Sequence, residues 1–331
     1  MHRPLPPMMT VRFAEFGEPA AVLNVEELPP PAMTEGQALV RITARPINPA
    51  DLLTVRGRYG LLPQLPATPG GEAAGTIEDP GDCPLAPGDR VVLLGVTGTW
   101  QQYLSVDCDR LVKVPTGVDD DTAAQAFLNP LSAWAMLESL DAHPGQWLLQ
   151  SAAGAALGRL VIQMARTRGL RTVNIIRRAG QESELTDLGA DAVIESDGEG
   201  LVEAVREATG DDGVLFALDT VGGKLGGEML RCLAPGGTMI VHGSLAGREP
   251  IPVQAGRFLT RSLTMRGFWL NEWLGRTPLA QQRQALTSLL DQFATGHLAT
   301  GPVERWPLED IVEAVKAAEE PGRNSKILLV G

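Results

Sequence analysis

Two short segments carry residue types that could do chemistry together. The first is Gly154-Ala155-Ala156-Leu157-Gly158, between the apolar run WLLQSA (147–152) and a stretch with Leu157, Leu160, Val161, Met164 and Ala165 at helical spacing. A strand, a slim turn and a helix in that order let backbone N–H groups approach a pyrophosphate closely. Alanines at 155 and 156 depart from the strict G-x-G-x-x-G pattern, so the segment alone reads equally as a plain strand-to-helix turn. The second is Arg177-Arg178, following VNII. An NAD-binding unit usually places an acid there for the ribose 2′-hydroxyl. A guanidinium can instead take a 2′-phosphate through paired hydrogen bonds. A solvated surface pair is the alternative; in an acidic chain, at this strand end, the phosphate is favoured. The inferred cofactor is NADPH.

Other chemistries find little support. The histidines (His2, His143, His242, His297) and the cysteines (Cys83, Cys108, Cys232) are scattered, without C-x-x-C or H-E-x-x-H. No metal site is expected. His242 falls at a strand end on the ligand side of an α/β sheet, where its ring reads as a core or rim group. Cys232, in EMLRCLAPGG, reads as a buried small hydrophobe. No G-x-S-x-G nucleophile signature occurs.

The elements that must position these residues fall into two textures. From about residue 10 to 120, short apolar runs broken by Pro and Gly predict strands: QALVRITARPI (37–47), DRVVLLGV (89–96) and WQQYLSV (100–106). From about 122, helical patterns alternate with short apolar runs: RTVNIIRR (171–178), DAVIE (191–195), GVLFALDT (213–220) and GTMIVHGS (237–244). That alternation predicts a doubly wound parallel sheet covered on both faces. SLTMRGFWL (262–270) predicts one more strand, 279–295 a helix, and KILLV (326–330) a closing strand that returns to the β-rich part. The expected domains are therefore 1–123 with 271–331, and 124–270, with a cleft between them.

Composition narrows the class. The chain has 331 residues, 28 basic and 40 acidic, for a net charge of −12. No basic surplus exists to displace counterions, so a nucleic-acid backbone binder is disfavoured. No window offers eighteen uninterrupted apolar residues, so no membrane span is expected. The opening MHRPLPPMMT lacks the continuous apolar stretch of a signal peptide and reads as a disordered leader. Three widely spaced cysteines imply no disulfide framework and a reducing compartment, with the cytoplasm as default.

Several longer stretches add a resemblance. They include RPINPADLLTVRGRYGLLPQLPATPGGEAAG (45–75), GTWQQYLSVD (98–107), FLNPLSAWAML (127–137), LRTVNIIRR (170–178), LRCLAPGGTMIVHGSLAG (230–247) and LTMRGFWLNEW (263–273). Together they resemble the zinc-free medium-chain dehydrogenase/reductases, and most of all the trans-2-enoyl-CoA/ACP reductases of mitochondrial-type fatty acid synthesis. The resemblance covers nearly the whole chain after about residue 10. It implies a Rossmann sheet with a β-rich GroES-like catalytic domain. Zinc-dependent cousins carry a Cys in the segment matching Ile47–Asp51 and a His in a GHE triplet; here the first lacks Cys and the second is Gly70-Gly71-Glu72.

The resemblance also assigns residues. Tyr59, in the G-x-YG segment, matches the catalytic tyrosine. Hydride addition to Cβ of an enoyl thioester builds charge on Cα and the thioester oxygen, which a phenol can stabilise or protonate. Asn129 would meet the nicotinamide or ribose, and Gly154, Ala155, Ala156, Leu157 and Gly158 the pyrophosphate. Arg177 and Arg178 would hold the 2′-phosphate, although the family's next arginine is Ala179 here. His242, Gly243, Ser244, Leu245, Phe268, Trp269, Leu270 and Asn271 would surround the nicotinamide, and Lys326 would reach the cofactor. Asn48 and Asp51 are read as bracing the loop under Tyr59. The expected substrate is a small-molecule enoyl thioester of CoA or acyl carrier protein, and the expected assembly is a homodimer pairing through 262–270. NADPH:quinone reduction is the first alternative, and a non-catalytic, crystallin-like NADPH binder the second.

Overall fold

A computed structural model describes residues 5–210 and 213–331; His2 and the opening residues of the expected leader lie outside them. In chain order the strands are β1 (Met8–Arg12), β2 (Asn24–Leu28), β3 (Gln37–Pro46), β4 (Ala74–Asp79) and β5 (Arg90–Leu93). They continue with β6 (Tyr103–Asp107), β7 (Leu111–Lys113), β8 (Trp147–Gln150), β9 (Arg171–Ile176) and β10 (Ala192–Glu195). The last are β11 (Val214–Asp219), β12 (Leu233–Val241), β13 (Thr264–Gly267), β14 (Val303–Pro307) and β15 (Lys326–Val330). The chain divides into two compact units: the N-terminal part through Leu128 with Thr277–Gly331, and Asn129–Arg276.

The first unit is β-rich. Its main sheet runs β14-β15-β3-β4-β5-β7, with β6 also paired to β3, and β1 and β2 form a separate antiparallel pair. The tail returns as expected, because β15 lies antiparallel to β3 with Leu329 opposite Arg45. In β3, Ala38, Leu39, Val40 and Ile42 are buried while Arg41 is exposed. Val40, Ile42, Val91 and Leu93 pack into one core, and Val11, Phe13, Ile47, Leu52, Trp100 and Leu329 into another. The helix Ile311–Glu319 buries Ile311, Ala314 and Val315, the i, i+3, i+4 face, on that second core.

The second unit is a parallel sheet in the order β10-β9-β8-β11-β12-β13. That is the doubly wound dinucleotide-binding order, with the reversal beside β8. Leu149, Val173, Ile175, Ala217 and Met239 form its core. One polar ladder crosses it: Gln150 Nε2 donates to Asn174 Oδ1 at 2.7 Å and to the Gly158 carbonyl at 3.0 Å. Asn174 Nδ2 passes the chain on to Thr172 Oγ1 and the Ala192 carbonyl. Because every buried donor finds an acceptor, these residues fix helix Ala156–Thr167 on the sheet rather than destabilising it.

Two expectations need correction. The strand predicted over 262–270 ends at Gly267, and a helix, Leu270–Arg276, takes up the remaining residues. Cys83 and Cys108 are joined in a disulfide with Cα atoms 5.4 Å apart. The pairing ties the loop after β4 to the turn between β6 and β7, and it removes the basis for reading a reducing compartment from the cysteines. Cys232 is buried, as expected, and burial pushes its thiol up to about 12. Among the described residues no helix is long and apolar enough to cross a membrane.

Candidate active site

In the second unit every strand runs the same way, so the segments that follow β8, β9, β11, β12 and β13 gather at one edge. Ligands of such sheets bind at this carboxyl edge. After β8 the chain turns through Ala152, at φ 50°, and enters helix Ala156–Thr167 with no side chain capping the start. Its first N–H groups are therefore unsatisfied and face outward from exposed Ala155 and Ala156. A Cβ on Gly158 would stand 2.7 Å from both Cα and the carbonyl oxygen of Ala153, so only glycine lets the helix sit this close to the turn. After β9, Arg177 and Arg178 are exposed, and among the described residues no ion pair engages either one.

The loops after β11 and β12 are built on Asp219, which is fully buried. Ser151 Oγ donates to its Oδ1 at 2.8 Å, the N–H groups of Val221 and Gly222 add 2.9 and 3.0 Å bonds, and Ser151 Oγ accepts from Thr220 N–H. His242 N–H donates to the Asp219 carbonyl, and Leu245 N–H to that of Thr220. Gly243 lies so close to Thr220 that a Cβ would collide with its backbone oxygen at 2.7 Å. Phe268 N–H joins the same layer by donating to Val241. Desolvation pushes the His242 imidazole down to about 4, against a smaller opposing pull from Asp219, so the ring is neutral near pH 7. These residues form a cradle of backbone donors with a cationic pair beside it, which fits a 2′-phosphorylated dinucleotide.

In the first unit, helix Pro49–Val55 starts with proline at its first position and with Asp51 Oδ2 accepting the Asn48 N–H at 2.8 Å. It ends at Gly57, whose φ of 68° closes the turn against the Phe16 ring. Tyr59 follows two residues later, half-buried. Asn48, at the start of this helix, belongs to a polar network that sequence reasoning did not assemble. Lys326 Nζ donates to Asn48 Oδ1 at 2.6 Å, and Asn48 Nδ2 donates to Glu72 Oε2 at 3.1 Å. Glu72 Oε1 receives the N–H groups of Phe127 and Leu128 at 2.9 and 2.7 Å. Burial raises Asp51 to about 7 and raises Glu72, while burial lowers Lys326 to about 8 against the pull of both carboxyls.

Two family models match this chain: "Alcohol dehydrogenase GroES-like domain" over residues 34–116 and "Zinc-binding dehydrogenase" over 156–289. A mitochondrial enoyl-[acyl-carrier-protein] reductase of Bos taurus is 33% identical, over 96% of this chain and 87% of that protein. This chain belongs to the medium-chain dehydrogenase/reductase family. A Bacillus thuringiensis crystal structure, provisionally named an NADPH:quinone reductase, superposes with a TM-score of 0.91 at 31% identity, covering 98% of this chain and 99% of the other. The mitochondrial 2-enoyl thioester reductase Etr1p/Etr2p heterodimer of Candida tropicalis gives 0.89 at 22% identity, over 99% and 100%, and shares the fold. The cytoplasmic expectation is overturned, because the Bos taurus relative that matches nearly end to end is a mitochondrial protein. That expectation rested on not finding a targeting segment, which has no physical force by itself.

Within the medium-chain dehydrogenase/reductase fold, the carboxyl edge of the parallel sheet brings together Gly154–Gly158, Arg177, Arg178, His242–Leu245 and Phe268–Asn271. Asn129 lies in helix Leu128–Glu138, half-buried. Lys326 and Tyr59 belong to the other unit, and Lys326 turns its ammonium to Asn48. The only group of three metal-ligating side chains among the described residues is Asp82, Cys83 and Cys108, whose sulfurs are joined to each other. Asp219 and Ser151 were missed. An acid closing an otherwise apolar strand, LFALD, was the available signal.

Proposed function

We propose that this protein uses NADPH to reduce the C2=C3 double bond of a trans-2-enoyl thioester. The observation that carries the reading is 33% identity, nearly end to end, with a relative named for enoyl-[acyl-carrier-protein] reduction. The open helix start at Ala156 and the unpaired Arg177 and Arg178 support the choice of cofactor. In this reading Asn129, Gly154–Gly158, Arg177, Arg178, His242–Leu245 and Phe268–Asn271 hold it, in an NADPH-binding domain. The GroES-like unit supplies the substrate side.

When bound, NADPH supplies the hydride that adds to Cβ. Tyr59 acts on the charge this displaces: its phenol donates a hydrogen bond toward the thioester oxygen and delivers or relays a proton to Cα. The neutral His242 ring keeps a second positive charge away from the carboxyl edge, so cationic binding there rests on the arginines. No metal enters the reading. The segment 47–51 offers Asn48 instead of a thiolate, and Lys326 puts its own charge beside Asp51 and Glu72. The substrate is an enoyl thioester of CoA or acyl carrier protein. The proposed assembly is a homodimer pairing through β13, the outer strand of its sheet, next to the exposed Met265 and Leu259.

A second reading, NADPH:quinone reduction, draws on the Bacillus thuringiensis structure. NADPH oxidation followed with crotonyl- and octenoyl-CoA, and separately with a quinone panel, decides between them. Turnover of the thioesters is expected. Turnover of quinones alone rejects the proposal, and binding of NADPH without turnover on either panel would assign a non-catalytic, crystallin-like role.

A further inference from the structure

Arg177 and Arg178 lie in loop 177–181, which joins β9 to the helix Glu182–Leu188. That helix has seven residues, too few for its own hydrogen bonds to fix its place, so packing must. Its one fully buried side chain, Leu185, packs with Ala153, Ile162 and Ile176, and Leu188 leans on the same cluster. Apolar contact is non-directional and leaves open how the helix is turned. A directional contact comes from Arg159, whose side chain belongs to a residue only 8% exposed. Its Nε donates to the Gly154 carbonyl at 3.3 Å, and its Nη2 pairs with Glu184 in the first turn of the short helix. The Gln181 amide, at the end of the loop, lies directly over Gly154, where a Cβ would collide with it. Arg159 thus joins the turn at 154–158 to the helix that closes loop 177–181, and all of these residues belong to the parallel-sheet unit.

The charges themselves show that local helix stability is not what the arginine serves. Arg159 stands near the start of helix Ala156–Thr167, the end at which the helix dipole disfavours a cation. Glu184 stands at the same end of its own helix, where an anion is favoured. A buried guanidinium needs a counter-charge, and among the described residues Glu184 is the carboxylate that pairs with it. We propose that Arg159 is a positioning residue for 2′-phosphate recognition: through Glu184 and Gly154 it holds loop 177–181 against the turn at 154–158, so that Arg177, Arg178 and the open helix start serve one nucleotide. This rests on the reading of those two arginines as the 2′-phosphate site. Without the Arg159–Glu184 pair both segments keep their own residues but lose their fixed separation. A nucleotide that must engage both is then penalised more than one that needs only the turn. NADPH is the first kind and NADH the second.

The sign of the charge separates positioning from simple attraction. Arg159→Gln removes a positive charge near an anion site and weakens NADPH under either account. Glu184→Gln removes a negative charge, so attraction alone predicts tighter NADPH while positioning predicts weaker. The test titrates NADPH and NADH by fluorescence against the full chain, Arg159→Gln, Glu184→Gln, both together, and Arg177→Ala with Arg178→Ala. Each of the two single variants is expected to raise the NADPH Kd roughly fivefold or more and the NADH Kd less than about twofold. The Arg159→Gln, Glu184→Gln double variant is expected to lie within about twofold of the weaker single, the mark of one shared interaction. NADPH binding that is tighter or unchanged in Glu184→Gln overturns the proposal, and so does an equal loss for both nucleotides. Should Arg159→Gln fail to fold, Glu184→Gln, a change at an exposed side chain, decides alone. A wild-type protein with no preference for NADPH, or an Arg177→Ala, Arg178→Ala variant that loses both nucleotides equally, rejects the underlying reading and this proposal with it. A preference lost in that variant but kept in Glu184→Gln rejects this proposal alone.

Discussion

Ser151 and Asp219, at the ends of the paired strands β8 and β11, share a 2.8 Å hydrogen bond in which the serine hydroxyl donates to the carboxylate. The two residues lie 68 positions apart in the chain, and the turn at 154–158 and the loop after β11 start from these strand ends. Asp219→Ala would leave the Ser151 hydroxyl and the N–H groups of Val221 and Gly222 without their acceptor. Each buried donor so exposed costs on the order of 1–3 kcal/mol. Tm and NADPH affinity should fall together in this variant; a loss of Tm with unchanged affinity would confine Asp219 to a packing role.

Arg177 and Arg178 stand exposed and, among the described residues, without an ion-pair partner, so their charge is available to a ligand. Arg177→Ala with Arg178→Ala should weaken NADPH binding by roughly tenfold or more and leave NADH nearly unchanged, since only NADPH carries the 2′-phosphate. Titration of both nucleotides against wild type and variant measures this. Equal losses for the two would refute the assignment.

Tyr59→Phe removes one hydroxyl from a half-buried side chain and keeps its ring. A contact made only in the transition state predicts a kcat at least roughly tenfold lower, with NADPH Kd unmoved. Steady-state kinetics with octenoyl-CoA supply the check, and full activity would return Tyr59 to a packing role.

His242 predicts an acid limb in stability. Burial holds its folded-state proton affinity down to about 4, against an ordinary 6.5. Between those values the unfolded chain binds a proton that the native protein does not, so stability rises with pH across that window and is lost toward acid. Asp51, raised to about 7 by burial, acts with the opposite sign, because there the native state holds the extra proton. The difference between wild type and His242→Gln therefore isolates the imidazole. Tm measured from pH 4 to 7 should fall more steeply toward acid in the wild type. Parallel profiles would contradict the shift.

The Cys83–Cys108 bridge closes a loop of 25 residues. Constraint of the unfolded chain by a loop of that size stabilises by about 3 kcal/mol. Cys83→Ser with Cys108→Ser, or reduction by a dithiol, should lower Tm measurably, and an unmoved Tm would mean that the pair contributes nothing.

The parallel sheet was legible because its strands are buried on both faces and so read as apolar runs. The wrapped-back tail followed from KILLV, a strand too short to stand alone. Local spacing also located the strand-to-helix turn at 154–158 and the arginines at a strand end. What stayed hidden depends on partners distant in sequence. Cys83 and Cys108 carry no motif, and the odd third cysteine obscured their pairing. Glu72, Asn48 and Lys326 come from three separate stretches, and only the meeting of β15 with β3 brings the lysine to the other two. The 262–270 strand was overextended because FWL is as apolar as the strand before it, and the helix that starts at Leu270 reveals itself only in the residues beyond.

The closing strand β15 has one practical consequence. Its backbone is hydrogen-bonded on both sides, to β14 and β3, and a Gly331 oxygen accepts from Nη2 of the fully buried Arg45 at 2.8 Å. A truncation that removes the final six residues would therefore leave β14 and β3 each without the neighbour that joins them, and would take Lys326 with it.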